Sequence, residues 1–277
     1  MTDIEHRVAV AKRLAVNLRK SLEQLTPKQW ERPSACSEWQ VQDVVSHLIG
    51  GAERQAGSME LGRRGDSNPP AGFFPQASEE RSTSNAQRDI ARRNQLEGRL
   101  LGAFDSSYEK LFQQFDIMGE FSWDTLCWHA SSGSITAAAY VDLRIQELAI
   151  HDFDIRSAFQ SDAGLDPECV QVLLDMTPRW LRMCFRPTER LSKPVVYGFD
   201  INSRKLRLTV TGDEFKMELE AVEGKAEPDL TLVATGEQYL LFTYGRLTAA
   251  DGMHLGRLAI TGEMAHLDQF EVWFKGL

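Results

Sequence analysis

The chain of 277 residues has few cysteines, at positions 36, 127, 169 and 184, and no two of them make a C-x-x-C pair. That scatter is a poor pattern for a zinc-thiolate site or a disulfide framework, so reduced, structural thiols are expected. A basic excess is missing too. The 40 Asp and Glu against 31 Lys and Arg leave a formal charge of −9, which offers no field for a phosphate backbone or an anionic membrane and makes small molecules the expected partners. No apolar run is long enough to span a bilayer, and "MTDIEHRVAVAKRLAVNLRK" mixes both charge signs through its apolar positions instead of forming a signal-peptide core. A cytoplasmic protein is expected. What is present, 42% apolar and 26% charged residues, suits a globular chain with a sizeable core.

Helical periodicity fills the first half in four stretches, at about 3–25, 39–61, 84–115 and 135–159, and four long helices suggest a bundle. In "LTPKQW", Thr26 is placed as N-cap, Pro27 at the first helical position and Gln29 as the reciprocal partner; Ser37 and Gln40 form a second such box. The helix they open carries a core stripe of Val41, Val44, Val45, Leu48 and Ile49. Its connection to the next helix, "GRRGDSNPPAGFFPQASEE", is rich in Gly, Pro and Ser, and is either a substrate-covering lid or a loop pinned by Phe73 and Phe74.

After "SDAGLDPE" one more helix, at about 167–183, precedes a change of hydrophobic period to two. "KLRLTVTGDEFKMELEA" alternates Leu206, Leu208 and Val210, then Phe215, Met217 and Leu219, around a Gly-Asp turn, the pattern of a hairpin with one buried face. "DLTLVATGEQYLLF" and "RLAITGEMAHLDQF" each run a short strand through Thr-Gly-Glu into a helix, with Thr235 and Thr261 as N-caps. The expected class is α+β in two domains, a helical bundle over 1–162 and a small α+β domain over 163–277.

Trp39, Asp43 and His47 follow one another at i, i+4 spacing, away from the apolar stripe. His47 therefore has a task other than core packing, as a surface residue or as a ligand with a partner elsewhere. In "YVDLRIQELAIHDFDIR", Glu147 and His151 stand one turn apart on a face that also carries Tyr140, Arg144 and Asp154. Such a face is either solvated, with Arg144 and Glu147 as a surface ion pair, or the wall of a site. Two imidazoles and a carboxylate from these helices would make the ligand set of a catalytic zinc or similar divalent ion. His129 and His254 sit near loops, and His6 and His266 have no acidic or imidazole partner at ligand spacing.

"WERPSACSEWQVQDVVSHL", "RIQELAIHDFDIR" and "LLFTYGRL" resemble segments of the mycothiol-dependent maleylpyruvate isomerase family, an actinobacterial branch of the DinB-like helical bundles, and the resemblance covers nearly the whole chain. It implies a DinB-like four-helix bundle followed by a sterol-carrier-like α+β domain. It also implies a divalent metal, zinc foremost, on His47, Glu147 and His151, mycothiol as thiol cofactor or co-substrate, and Arg246 as an anion clamp. Asp43 or Asp154 would orient an imidazole, and Arg144 and Tyr140 would line the cofactor cavity. Relatives often carry Pro-Gly before the tryptophan, where this chain has Ser37 and Glu38.

A metal-bound thiol becomes a thiolate at neutral pH, and the resemblance implies its attack on an electrophilic carbon of a second small molecule. A leaving group there makes the protein a thiol S-transferase; an enone makes it a cis-trans isomerase that returns the thiol. S-transfer is the expectation, because the ligand triad is kept while the substrate-facing loop differs, and isomerisation is the alternative. Further readings are a metal-dependent hydrolase and a non-catalytic binder of apolar ligands. The protein is expected as a monomer or homodimer.

Overall fold

The computed structural model describes residues 2–36, 38–74, 78–219, 226–274 and 276, and the chain divides into two units, Met1–Cys169 and Val170–Leu277. In the first, four long helices pack together: α1 (Asp3–Glu23), α3 (Val41–Arg63), α5 (Leu100–Phe121) and α6 (Ala137–Arg156). Between α1 and α3 lies the short α2 (Pro27–Trp30), where Gln29 Oε1 accepts from Thr26 N at 2.9 Å, as expected of that box. The stripes Val10, Leu14 and Leu18 of α1 and Phe104, Leu111 and Phe115 of α5 are buried, which is what places these faces inward. α6 differs, since Arg144, Gln146 and Asp154 are buried along with Val141, Ile145 and Leu148.

The periodicity at 84–115 belongs to two helices. α4 (Ser78–Leu96) ends where Glu97 and Gly98 take φ of +39° and +77°, and α5 begins at Leu100. A left-handed backbone cannot continue a right-handed helix, and glycine adopts it without a Cβ clash. The apolar period runs on through the corner, so pattern alone joins the two. α4 packs on α3 beside the bundle. Between α5 and α6 an unexpected hairpin forms, β1 (Leu126–His129) paired with β2 (Gly133–Thr136). Thr136 then caps α6, its Oγ1 accepting from Ala139 N at 3.1 Å.

The start of α3 is three residues later than the expected box, and Ser37 lies outside the described residues. Gln40 is the N-cap and Asp43 the reciprocal partner, its Oδ2 accepting from Gln40 N at 3.0 Å. The approach to α3 is tied down by Val41 N to Arg32 O at 2.9 Å, Ser34 N to Trp39 O at 2.9 Å and Ala35 N to Asp154 O at 3.2 Å, the last fixing it to the end of α6. In the connection after α3, Phe73 stands edge-on to Trp128 at 5.2 Å while Phe74 is 79% exposed, so the phenylalanine pair is divided between pinning and solvent; residues 75–77 lie outside the described residues.

α7 (Pro167–Cys184) crosses the boundary between the units. The second unit has a sheet of order β5-β4-β3-β6-β7, built from β3 (Val195–Ile201), β4 (Arg204–Val210), β5 (Phe215–Leu219), β6 (Leu230–Ala234) and β7 (Ala259–Gly262). β4 and β5 are the hairpin read from period two, with Leu208 opposite Met217 and Val210 opposite Phe215. Its helices are α8 (Gly236–Thr243), α9 (Ala249–His254) and α10 (Met264–Trp273). Tyr239 of α8 and Phe270 of α10 pack at 5.2 and 5.9 Å on Phe199 of β3. Thr235 caps α8 as expected, but Thr261 does not cap α10: it is paired with Thr231 inside β7, and Glu263 holds the N-cap position. The ladder claims Thr261 before the helix can begin. The molecule is thus α+β, a helical bundle followed by a smaller α+β unit.

The two backbone contexts of glycine give a paired test. Gly98→Ala is expected to lower the free energy of unfolding by about 1 kcal/mol or more. Gly57→Ala, in the middle of α3 with nothing within 4 Å of an added Cβ, is expected to raise it by up to about 1 kcal/mol. Guanidinium titrations measure both; a neutral Gly98→Ala would mean that α4 and α5 are not parted by backbone conformation.

Candidate functional site

His47 on α3 and Glu147 on α6 meet across the bundle, with Nε2 to Oε2 at 2.8 Å. His151, one turn after Glu147, brings its own Nε2 to 3.8 Å from the same oxygen. The three side chains offer donor atoms that all lie within 4.8 Å of one another. The imidazole centroids are 5.0 Å apart, and Trp39 covers both rings, at 4.9 Å from His47 and 6.1 Å from His151. The solvated alternative for the α6 face therefore does not hold: Arg144 is 3% exposed and Asp154 0%.

Each ring's other nitrogen has its own carboxylate. His47 Nδ1 is 2.8 Å from Asp89 Oδ2, and His151 Nδ1 is 2.9 Å from Asp154 Oδ2. An ionised carboxylate only accepts, so both Nδ1 atoms carry hydrogen, and the two Nε2 atoms are aimed at Glu147. Burial by itself would push His47 down, but its hydrogen bonds with Asp89 and Glu147 outweigh burial and raise it. Burial likewise opposes the charge on Glu147, yet the hydrogen bond and charge of His47, then the charges of His151 and Arg144, hold it well below the usual carboxylate range. Two nitrogens and one oxygen with an imidazole backed by a carboxylate on either side fit a divalent cation, which would take the place of the proton now shared between His47 and Glu147.

Asp89, on α4, is the residue that sequence reasoning missed. It is 0% exposed and also takes Arg92 Nη1 at 2.8 Å and Arg88 Nε at 3.4 Å on Oδ1. The signal for it was slight: Asp89 follows the buried Ala86 by three residues, which puts a carboxylate on the inward face of an arginine-rich helix. Asp43 stands apart from His47. Its position in the first turn of α3 gives Oδ2 to Gln40 N, and Oδ1 faces Arg93 Nε at 3.2 Å.

Bare backbone on α3 admits two of the arginines. A Cβ on Gly50 would lie 2.0 Å from Arg92 Nη1, and one on Gly51 3.0 Å from Arg144 Nη2. Arg144 donates through Nε to Gln55 Oε1 at 2.9 Å, and Gln55 Nε2 donates to Tyr140 O at 2.9 Å. Tyr140 is buried, which pushes its phenol up, and its ring meets His129 edge-on at 5.2 Å. Arg54 retains solvent exposure as a residue, yet desolvation and the like charges of Arg88, Arg92 and Arg144, only partly offset by Asp89, lower it to about 10. Cations crowd this side of the site.

Arg246 lies in the second unit, just past α8. Its N–H closes the helix on Leu241 O at 2.7 Å, and Nη1 donates to Tyr244 O at 2.7 Å. His266, expected to lack an acidic partner, pairs with Glu263 at 3.1 Å.

A family model described as the mycothiol maleylpyruvate isomerase N-terminal domain matches residues 11–156, the span that holds every residue of the histidine–carboxylate cluster. The chain belongs to this family. In fold it overlays on a crystal structure of the mycothiol-dependent maleylpyruvate isomerase with a TM-score of 0.63 at 15% identity, covering 95% of each chain. A histidine-to-alanine mutant of that enzyme overlays equally well, with the same TM-score of 0.63, 15% identity and 95% coverage of both chains. A sterol carrier protein 2 like 2 from Aedes aegypti matches at 14% identity over 35% of this chain and 92% of its own, at a TM-score of 0.26; the sterol-carrier likeness is loose. No curated protein matches by sequence.

The two aspartates near α3 separate by stability in protein stripped of metal. Asp89→Ala leaves His47 and Arg92 without their acceptor, and is expected to cost about 2–3 kcal/mol. Asp43→Ala removes a helix-start contact, at about 1–2 kcal/mol. Urea unfolding in chelator tests the order; equal costs would mean that Asp89 does not anchor the cluster.

Proposed function

We propose that the chain is a thiol-dependent isomerase of the maleylpyruvate type, with a small anionic, cis-unsaturated keto acid as substrate, mycothiol as the thiol, and a divalent cation, zinc foremost, held by His47, Glu147 and His151. The observation that carries this reading is the aim of two Nε2 atoms at one Glu147 oxygen, with Asp89 and Asp154 behind the rings. When bound, the cation supplies the Lewis acidity that brings a thiol to its thiolate at neutral pH.

The protein's own residues do the rest. Asp89 and Asp154 fix the tautomer and plane of each imidazole, so neither ring has to be ordered when the site is filled. Glu147 contributes the negative charge of the donor set. Arg54, Arg88, Arg92 and Arg144 make a cationic surround that would draw a carboxylate substrate toward the site. Trp39, packed on both imidazoles, excludes water from their faces. Arg246 is a candidate for a further anion contact, its guanidinium held by Tyr244 O. Membership of the family supports isomerisation over the S-transfer expected from the sequence, because the name the family carries is that of the isomerase.

His47→Ala is expected to abolish stoichiometric metal binding and mycothiol-dependent conversion of maleylpyruvate, with helical circular dichroism close to that of the parent. Full metal content in the variant would contradict the ligand assignment, and product formed at the same rate without thiol would turn the reading toward hydrolysis. Asp89→Asn keeps the size of the side chain but loses its charge; roughly 10- to 100-fold weaker metal affinity is expected in a competition titration.

A further inference from the structure

His151 gives the set above only its Nε2. Its Nδ1 faces a second convergence, with Asp154 Oδ2 at 2.9 Å and Cys36 Sγ at 4.0 Å, and Cys36 Sγ is itself 3.1 Å from Asp154 Oδ2. The backbone brings these atoms together from distant parts of the chain: the bond from Ala35 N to Asp154 O, at 3.2 Å, lies next to Cys36 in sequence and at Asp154 itself. Among the described residues only two groups of three or more such side chains have donor atoms within 4.8 Å of one another, and this is one of them.

A tetrahedral ion with sulfur at about 2.3 Å and nitrogen and oxygen at about 2.1 Å sets its donors roughly 3.4–3.6 Å apart. The observed separations of 2.9, 3.1 and 4.0 Å bracket that range, so an ion requires Cys36 Sγ to approach Nδ1 by a few tenths of an ångström and the Asp154 carboxylate to draw back from the ring by about half an ångström. We propose that Cys36 Sγ, His151 Nδ1 and Asp154 Oδ2 form a second cation site, selective for a soft, thiophilic divalent ion such as cadmium or surplus zinc. On binding, the Sγ proton passes to solvent and the ring proton moves from Nδ1 to Nε2, or to solvent when Nε2 already holds an ion; bonds to sulfur, nitrogen and oxygen form, and no electrons change hands. Thiolate and carboxylate together balance the ion's charge, and the sulfur disfavours magnesium or calcium. Nothing is required of His47 or Glu147, but His151 belongs to both sets, its ring bridging the two ions through Nε2 and Nδ1 when both are bound.

The remaining thiols do not compete. Cys127, Cys169 and Cys184 are buried, and burial pushes Cys127 up to about 11 and Cys169 up to about 12.

Cobalt(II) titration of the full chain, stripped of metal and kept under a non-thiol reductant, tests the site, since cobalt bound to thiolate gives an intense near-ultraviolet band that imidazole and carboxylate do not. Wild type is expected to bind about two ions per chain with the band present, Cys36→Ser about one ion with the band lost, and His47→Ala about one ion with the band kept. A wild type without the band, or a Cys36→Ser protein that retains it, overturns the second site. If wild type shows the band and Cys36→Ser binds no ion at all, the second site stands and it is the first donor set that fails.

Discussion

Glu147 is a carboxylate held between two imidazoles in a helical bundle with its side chain 34% exposed, and behind those rings stand two carboxylates, Asp89 and Asp154, that are 0% exposed and whose charges govern what surrounds them. A buried charge is tolerated only when its neighbours are paired in turn. Glu147 takes His47 and His151; these take Asp89 and Asp154; Asp89 takes Arg92 and Arg88. The chain of pairings ends at arginines that reach solvent, with side chains 22% and 42% exposed. A network satisfied to its edge is rigid, whereas one missing a member is worse than an apolar core.

That requirement accounts for features that look unrelated when taken singly. α6 is buried on its polar as well as its apolar side because its polar side is the wall of the cluster. α3 carries Gly50 and Gly51 where Arg92 and Arg144 press on its backbone, and any larger residue would displace them. α4 stands outside the four-helix core, but it brings the aspartate that completes the coordination of charge around His47. The functional consequence is preorganisation: side chains held by their hydrogen-bond partners are already in the arrangement a cation or an anionic substrate would need.

The sequence was informative wherever the spacing is local. Glu147 and His151 lie one turn apart on any α-helix, and His47 is off the stripe of Val44, Val45 and Leu48 whatever α3 packs against. The hairpin of β4 and β5 is legible for the same reason, as period two survives any context. The same locality misled at Glu97 and Gly98, where an unbroken apolar period hid a left-handed corner, and at Thr261, where strand pairing overrode a cap signal. The hairpin of β1 and β2 has strands too short for a period to show.

What the residues determined by themselves was the class of fold, the polar face of α6 and the donor types available to a metal. Which carboxylate stands behind His47 was decided only by folding. Asp43, one turn away, and Asp89, 42 positions on, are equivalent as chemistry; Asp43 is taken by the start of its own helix, and Asp89 reaches the imidazole because α4 docks on α3. Cys36 meets Asp154 and His151 in the same way, through a backbone bond between segments 118 positions apart in the side-chain pair it serves. Contacts of that length depend on how helices pack, and packing is set by the summed burial of whole faces rather than by the spacing of the few residues that do the chemistry.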